Sequence, residues 1–311
     1  MGLAALGRPE YINIREDDVI DKSEEVFKSN AFSVLDSAYK LGIRYFDTAP
    51  SYGKGEAFLN EWNATKKYSD VVLGTKWGYT YVADWELGFT GAHEVKEHSL
   101  NKLQEQWQTS KKLLPALKIY QVHSATFESG ILENDDVLNQ LFEIKKQTGL
   151  KIGITTSGLN QSKIIEVALK IKIENADLFD SFQVTYNILE QSTHTILKRI
   201  LQQNKTVIIK EALANGRIFR NEKFPHYQKL YSTLDALSKK YNVGTDAIAL
   251  RFVMAILAPT YVLSGASSKE QLEQNMKAEK FTLENDELLS LQSLIIKPEK
   301  YWKERSQLRW N

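Results

Sequence analysis

The chain of 311 residues contains no cysteine. Disulfides, thiolate nucleophiles and cysteine-held metal or iron–sulfur centres are therefore excluded. The compartment is not fixed by this, because a cysteine-free chain tolerates either redox setting. Net charge is nearly absent: 40 Lys and Arg against 39 Asp and Glu leave +1. Bulk electrostatics thus point to neither nucleic acid nor an anionic membrane as partner. No stretch approaches the roughly 18 apolar residues of a membrane helix. The opening "MGLAALGRPEYINI" has no basic region followed by a long apolar run, so no signal peptide is expected. A soluble cytoplasmic protein follows as the default. The five histidines (93, 98, 123, 194, 226) form no His-x-His and no His-Glu-x-x-His, which argues against a metal site. His93 and His98, five apart, fit solvation or helix capping better than ligation. Low-complexity sequence is absent too.

What is present is a repeat of short apolar runs. They are "IRYF" (43–46), "DVVLGT" (70–75), "LKIYQVH" (117–123), "LKIGITT" (150–156), "DSFQVTY" (180–186), "KTVIIK" (205–210) and "TYVLSG" (260–265), with "GLAAL" (2–6) as a weaker eighth. Most are continuous rather than alternating, as in strands buried on both faces. Segments with helical spacing lie between them, including 33–42, 135–149, 162–172 and 269–280. Strands alternating with helices predict a parallel sheet. No Gly-x-Gly-x-x-Gly follows the first strand, which disfavours an open dinucleotide-binding sheet. The expected fold is an α/β (β/α)₈ TIM barrel, one domain over 1–311. Long loops are expected at 77–95 and 216–228, and residues 295–311 form a C-terminal tail over the active face.

In such a barrel, catalytic residues gather at the C-terminal ends of the strands. The runs end on Asp47, Lys76 and His123, and Tyr52 follows Asp47 closely in "DTAPSYGKG". Locally, that stretch is also an ordinary strand end with a turn. Together the four residues suit reduction of a carbonyl. A hydride donor makes the carbon–hydrogen bond, and the protein must protonate the oxygen. Tyr52 would supply the proton. Lys76 would lower the tyrosine pKa, Asp47 would hold the lysine charged, and His123 would position the carbonyl.

At these residues the sequence resembles the aldo-keto reductases. The resemblance rests on "GIRYFDTAPSYGKGE" (42–56), "VVLGTKWG" (71–78), "IYQVHS" (119–124), "DSFQVTYNILEQS" (180–192) and "LSGASSKEQLEQNMKA" (263–278), in that order. It spans nearly the whole chain. The resemblance implies a (β/α)₈ barrel that reduces aldehydes and ketones with a nicotinamide cofactor, usually NADPH. It maps the family's tyrosine, aspartate, lysine and histidine onto Tyr52, Asp47, Lys76 and His123. Its strand-six glutamine falls on Gln183. The family's Ser-Asn pair falls on Thr155–Thr156, leaving Thr156 or Ser157 as substitutes. Its aromatic or Ser-Pro-Leu stretch falls on Lys210, Glu211, Ala212 and Leu213, so no aromatic stack is implied.

Arg217, in "ANGR", is either a phosphate cation or a solvated loop charge. Gly265, Ala266 and Ser267 permit close backbone approach, and the helix start at Ser268 offers N–H groups to a phosphate. The resemblance puts the 2′-phosphate and the adenosine near Gln271 and Asn275. An arginine at Gln271 would have argued for NADPH. NADPH is the expected cofactor, with NADH as the alternative. Trp77, Tyr79, Tyr81, Trp85 and Phe89 crowd one loop, either as a wall for an apolar or sugar-like carbonyl substrate or as packing over the barrel end. Trp302 and Trp310 add a lid or belong to a docked terminus. The expected partner is thus a small carbonyl compound, and the oligomeric state is open. A regulatory subunit that only binds cofactor would not need all four catalytic residues. A barrel hydrolase would need metal ligands or a second placed carboxylate.

Overall fold

A computed structural model describes residues 1–10 and 21–308. Seven parallel strands form its main sheet: β1 (Tyr45–Asp47), β2 (Val72–Trp77), β3 (Leu117–Val122), β4 (Lys151–Thr155), β5 (Ser181–Thr185), β6 (Thr206–Lys210) and β7 (Tyr261–Val262). Each pairs with the strand next in sequence. An open doubly wound sheet would reverse its strand order at some point. Here the order never reverses, as in a barrel.

The N-terminal segment closes the ring. Asp47 N donates to Met1 O at 2.8 Å, Leu3 N to Asp47 O at 2.9 Å and, on the other side, Gly2 N to Ser264 O at 2.8 Å. The expected eighth strand over 2–6 is therefore reduced to the pairing of Met1, Gly2 and Leu3. Leu6 N and Gly7 N both turn back onto Leu3 O. The result is a (β/α)₈ barrel whose first stave is very short.

Helices fill the crossovers, as a parallel sheet requires: α1 (Glu24–Lys40), α2 (Gly55–Lys66), α3 (Leu100–Ser110), α4 (Asp135–Thr148), α5 (Gln161–Ala168), α6 (His194–Gln202), α7 (Gln228–Tyr241), α8 (Thr245–Leu257), α9 (Lys269–Met276), α10 (Asn285–Gln292) and α11 (Pro298–Ser306). Local chemistry sets their ends. Ser23 caps α1 by accepting from Val26 N, with Glu24 and Glu25 in the first turn and Lys40 in the last. That cap starts α1 well before the expected residue 33. Asn134 caps α4, and Gly149 ends it with a left-handed φ of 71°.

Two expected irregular stretches are partly ordered. Within 77–95 and just beyond, Tyr79–Tyr81 pairs antiparallel with Glu94–Lys96. The tail contains α11, opened by Pro298. Its Tyr301 is fully buried, accepts from Asn187 Nδ2 at 2.9 Å and offers its carbonyl to Arg217 Nη1 at 3.0 Å. These bonds seat α11 beside the C-terminal ends of β5 and β6. Among the described residues, no helix is long and apolar enough to cross a membrane.

Candidate active site

Asp47 ends β1 and Lys76 lies one residue before the end of β2; both are buried. The Lys76 ammonium pairs with Asp47 Oδ2 and donates to Thr48 O at 2.9 Å. The other carboxylate oxygen accepts from Tyr45 OH (3.0 Å), Gln183 Nε2 (2.9 Å) and Gln121 Nε2 (3.3 Å). A buried ion pair is tolerable only when its remaining bonding capacity is met like this. Gly74 makes the arrangement possible, because a Cβ there would come within 2.2 Å of Tyr45 OH.

Tyr52 is carried on the turn after β1. Tyr52 N donates to Ala49 O, Gly55 N to Tyr52 O, and Lys54 N to Gly7 O at 2.7 Å. Gly53 has a left-handed φ of 60°, and a Cβ on Gly7 would sit 2.2 Å from Tyr52 O. Backbone thus lies directly on backbone, and only glycine permits it. The Tyr52 ring has Lys76 Nζ 4.7 Å from its centroid, Arg8 Cζ at 5.3 Å and the His123 ring at 5.7 Å, edge-on.

Burial, then the carboxylates of Asp47 and Glu94, push the Tyr52 phenol well above its ordinary pKa, with Arg8 opposing. This corrects the expectation of a phenol lowered by Lys76. The lysine's charge is matched by Asp47, so the free site keeps Tyr52 protonated. Burial and then the cations Lys76, Lys210 and Arg8 hold His123 well below its ordinary pKa, which makes it a neutral imidazole. Ser51 Oγ lies 3.4 Å from His123 Nδ1. His98, held neutral with a pKa of about 4 by burial, donates from Nε2 to His123 O at 2.9 Å. It is neither a solvated nor a capping histidine.

These residues open on a cavity of about 380 Å³. Asp47, Tyr52, His123, Gln183, Lys210, Glu211, Leu213, Gly265, Gln271 and Asn275 all line it, with Ser157. Lys76 lies just beneath, behind Asp47. Lys210 Nζ donates to Ser157 Oγ (2.8 Å) and Thr185 Oγ1 (3.0 Å), and burial lowers its pKa to about 8. Glu211 has a left-handed φ of 55°, a costly conformation for a non-glycine residue. Against the effect of burial, Arg305 and Lys210 pull its carboxyl pKa down to about 2.

Several expected residues lie elsewhere. Arg217 is neither a phosphate ligand nor a solvated charge. It is fully buried, bonded to Ala214 O and Tyr301 O, paired with Glu304 at 3.5 Å and stacked on the Tyr301 ring at 4.0 Å. Thr156 and Ser267 are off the cavity lining, and Ser157 takes the place of Thr156. Trp77 is buried in the core against His98. Trp85 donates to Lys22 O at 2.7 Å and meets Phe27 edge-on. Tyr81 OH accepts from Trp85 N, and Phe89 packs on His93. Of the aromatic group only Tyr79 reaches the site, its ring 4.8 Å from His123. Trp302 packs edge-on against Tyr301 as part of a docked terminus, and Trp310 lies outside the described residues.

The structure also brings in residues that sequence patterning missed. Arg8 lines the cavity, donating to Glu94 Oε1 at 2.5 Å and to Ser51 O at 3.1 Å. Arg305 reaches in from α11, and Asp246 from the first turn of α8. A helical spacing of i and i+4 puts Tyr301 and Arg305 on one face; that signal was readable. Among the described residues, no group of three His, Asp or Glu is placed to hold a metal ion.

A family model described as the aldo/keto reductase family matches residues 18–296. An uncharacterized oxidoreductase, YqkF, of Bacillus subtilis is 25% identical over 86% of this chain and 88% of its own. A D-threo-aldose 1-dehydrogenase of a Pseudomonas species is 25% identical over 79% of this chain and 82% of its own. Among solved structures, aldo-keto reductase AKR11C1 from Bacillus halodurans (holo form) superposes with a TM-score of 0.68 at 22% identity, covering 94% of this chain and 90% of that one.

Proposed function

This chain belongs to the aldo/keto reductase family, and we propose that it reduces a small hydroxylated aldehyde or ketone, or oxidises the matching alcohol, with a nicotinamide dinucleotide and with Tyr52 as proton donor. That it is an oxidoreductase follows from the family. The observation that carries the finer reading is the single cavity in which a protonated phenol, a neutral imidazole and a buried Lys76–Asp47 pair converge.

The lining fits a dinucleotide. The small residues Gly2, Ala4, Ala5, Gly216, Gly265 and Ala266 line the cavity, and a Cβ on Gly265 would meet no atom within 4 Å. Residues of Gln183, Lys210, Leu213, Gly265, Gln271 and Asn275 would hold it. When bound, the reduced nicotinamide supplies the hydride for the new carbon–hydrogen bond. Tyr52 OH gives its proton to the carbonyl oxygen as negative charge develops there. The phenolate left behind faces Lys76 and Arg8. Asp47 keeps Lys76 charged and fixed. If Ser51 donates to His123 Nδ1, the imidazole proton sits on Nε2, which can donate to the substrate oxygen.

Charged side chains line the cavity near Tyr52. The expected aromatic wall of Trp77 and Trp85 is absent from it, and the pairs Arg8–Glu94 and Glu211–Arg305 line it instead. Neutralised pairs of this kind suit hydroxyl groups better than an aryl ring or a free carboxylate. The aldose-named relative agrees with this class.

The test is direct. Tryptophan fluorescence is titrated with NADH and NADPH, and aldehydes are then assayed by loss of reduced-cofactor absorbance. Tyr52→Phe should lower turnover by about 10²-fold or more with little change in nucleotide affinity. Binding without turnover on any carbonyl would favour a cofactor-binding subunit, and no binding at all would end the proposal.

A further inference from the structure

The two ends of the cavity differ in charge. Near Tyr52 it is lined by the cations Arg8, Lys210 and Arg305, with Glu94 and Glu211 facing them. The outer end lies between α8 and α9 and is lined by Ser264, Gly265, Asp246, Gln271 and Asn275. Among the described residues, no lysine or arginine lines that end. Its carboxylate, Asp246, is half-buried, and burial raises its pKa.

Several of the donors there are already engaged within the protein. Ser267 N donates to Gln271 Oε1 at 3.0 Å, Gln271 N to Ser268 Oγ at 3.2 Å, and Asn275 Nδ2 to Ser264 Oγ at 2.8 Å. Lys269, the cation at the start of α9, is 3.6 Å from Glu273 and does not line the cavity.

If the nicotinamide half lies at Tyr52 and His123, the adenosine half occupies this outer end. We propose that the outer end admits an adenosine ribose with a free 2′-hydroxyl and rejects one carrying a 2′-phosphate, so that the protein uses NADH in preference to NADPH. The inference rests on the reading above that the cavity holds a nicotinamide dinucleotide. It departs from the NADPH that the family resemblance implies.

The physical grounds are two. A phosphate monoester carries about −1.5 to −2 charges at neutral pH and asks for several donors. Here it would meet a carboxylate, no lining cation and donors several of which are already used within the protein, and like charges brought together at an interface are costly. A ribose hydroxyl is a donor, and a carboxylate only accepts, so Asp246 complements the unphosphorylated ribose. Selection then comes from repulsion of the wrong ligand as much as from attraction of the right one.

The experiment titrates the fluorescence of the full-length protein with NADH and with NADPH, without carbonyl substrate. NADH is expected to bind at least about tenfold more tightly. Asp246→Asn should narrow that gap by strengthening NADPH binding. Gln271→Arg, at an exposed helix position that tolerates change, should narrow or reverse it. Equal or tighter binding of NADPH by the unaltered protein would overturn the proposal. A gap unmoved by both variants would overturn the assignment to these two residues. Failure to bind either nucleotide would refute the dinucleotide reading itself and remove the basis for selection.

Discussion

Arg305 Nη2 donates to Glu211 Oε1 at 2.8 Å, tying the C-terminal helix to the residue that follows β6. The two lie 94 positions apart in sequence and meet at the wall of the candidate active-site cavity. The C-terminal segment is therefore part of the site.

Removing this tie should be visible in acid. Glu211 is held down to about 2, against an ordinary value near 4.3. A carboxylate whose folded pKa is depressed adds stability above its unfolded value and loses it as pH falls through the folded one. Arg305→Met should remove the largest part of that contribution, leaving Lys210 to supply the rest, lowering stability at neutral pH by about 3 kcal/mol and flattening the fall in melting temperature between pH 5 and 2. A variant with an unchanged acid profile would show the pair to be inert.

Lys210 sets up the opposite case. Its pKa falls from 10.5 to about 8 because burial disfavours its charge. Below pH 8 both states bind the proton and the charge is a constant cost; between about 8 and 10.5 stability rises with pH, since the unfolded chain holds the proton longer. Lys210→Met should raise the stability of the free protein at pH 7 by about 1–3 kcal/mol while weakening nucleotide binding. Nucleotide affinity of the unaltered protein should also drop above pH 8, as the ammonium is lost. Thermal melts and nucleotide titrations from pH 7 to 10 read both effects.

Tyr52 predicts the alkaline side of catalysis. In the proposed reduction its protonated form gives the proton, and its pKa lies well above the ordinary 10. At saturating cofactor, the reductive kcat should show no alkaline decline below about pH 10. A decline centred near pH 7 or 8 would mean that another group limits proton delivery or that cofactor binding lowers the phenol.

Gly7→Ala should act on turnover from outside the cavity's chemistry. The added methyl would lie 2.2 Å from Tyr52 O, so the turn must move. Overpacking of this kind costs about 1–3 kcal/mol, and a displaced proton donor should lower kcat by about tenfold or more. The outer end of the cavity is untouched, so nucleotide affinity should change little. Equal losses in kcat and affinity would point to general unfolding.

Asp47, Lys76 and His123 are legible because each lies at or beside the C-terminal end of a strand whose apolar run is plain, and a barrel gathers strand ends. Trp77 was misplaced because β2 runs through it. Successive strand residues face opposite ways, so Lys76 turns inward and Trp77 turns to the helix layer. Arg217 was misplaced because Ala214 and Asn215 both take left-handed φ, steering the chain so that the guanidinium ends beneath α11. Arg8 and Asp246 carry no local mark, and Arg305 carries only its shared helix face with Tyr301. Each is one charge among ordinary polar residues, and only the closed barrel brings them to one cavity.

The N-terminal segment has one last consequence. The residues that close the ring at Gly2 run directly into Gly7, on which the Tyr52 turn rests. A chain whose last seam is still open therefore holds Asp47 and Lys76 without a seated proton donor. On the proposed role of Tyr52, turnover should return during refolding only with this final joining, later than the signal from helix content, and activity that recovers together with helix content would count against it.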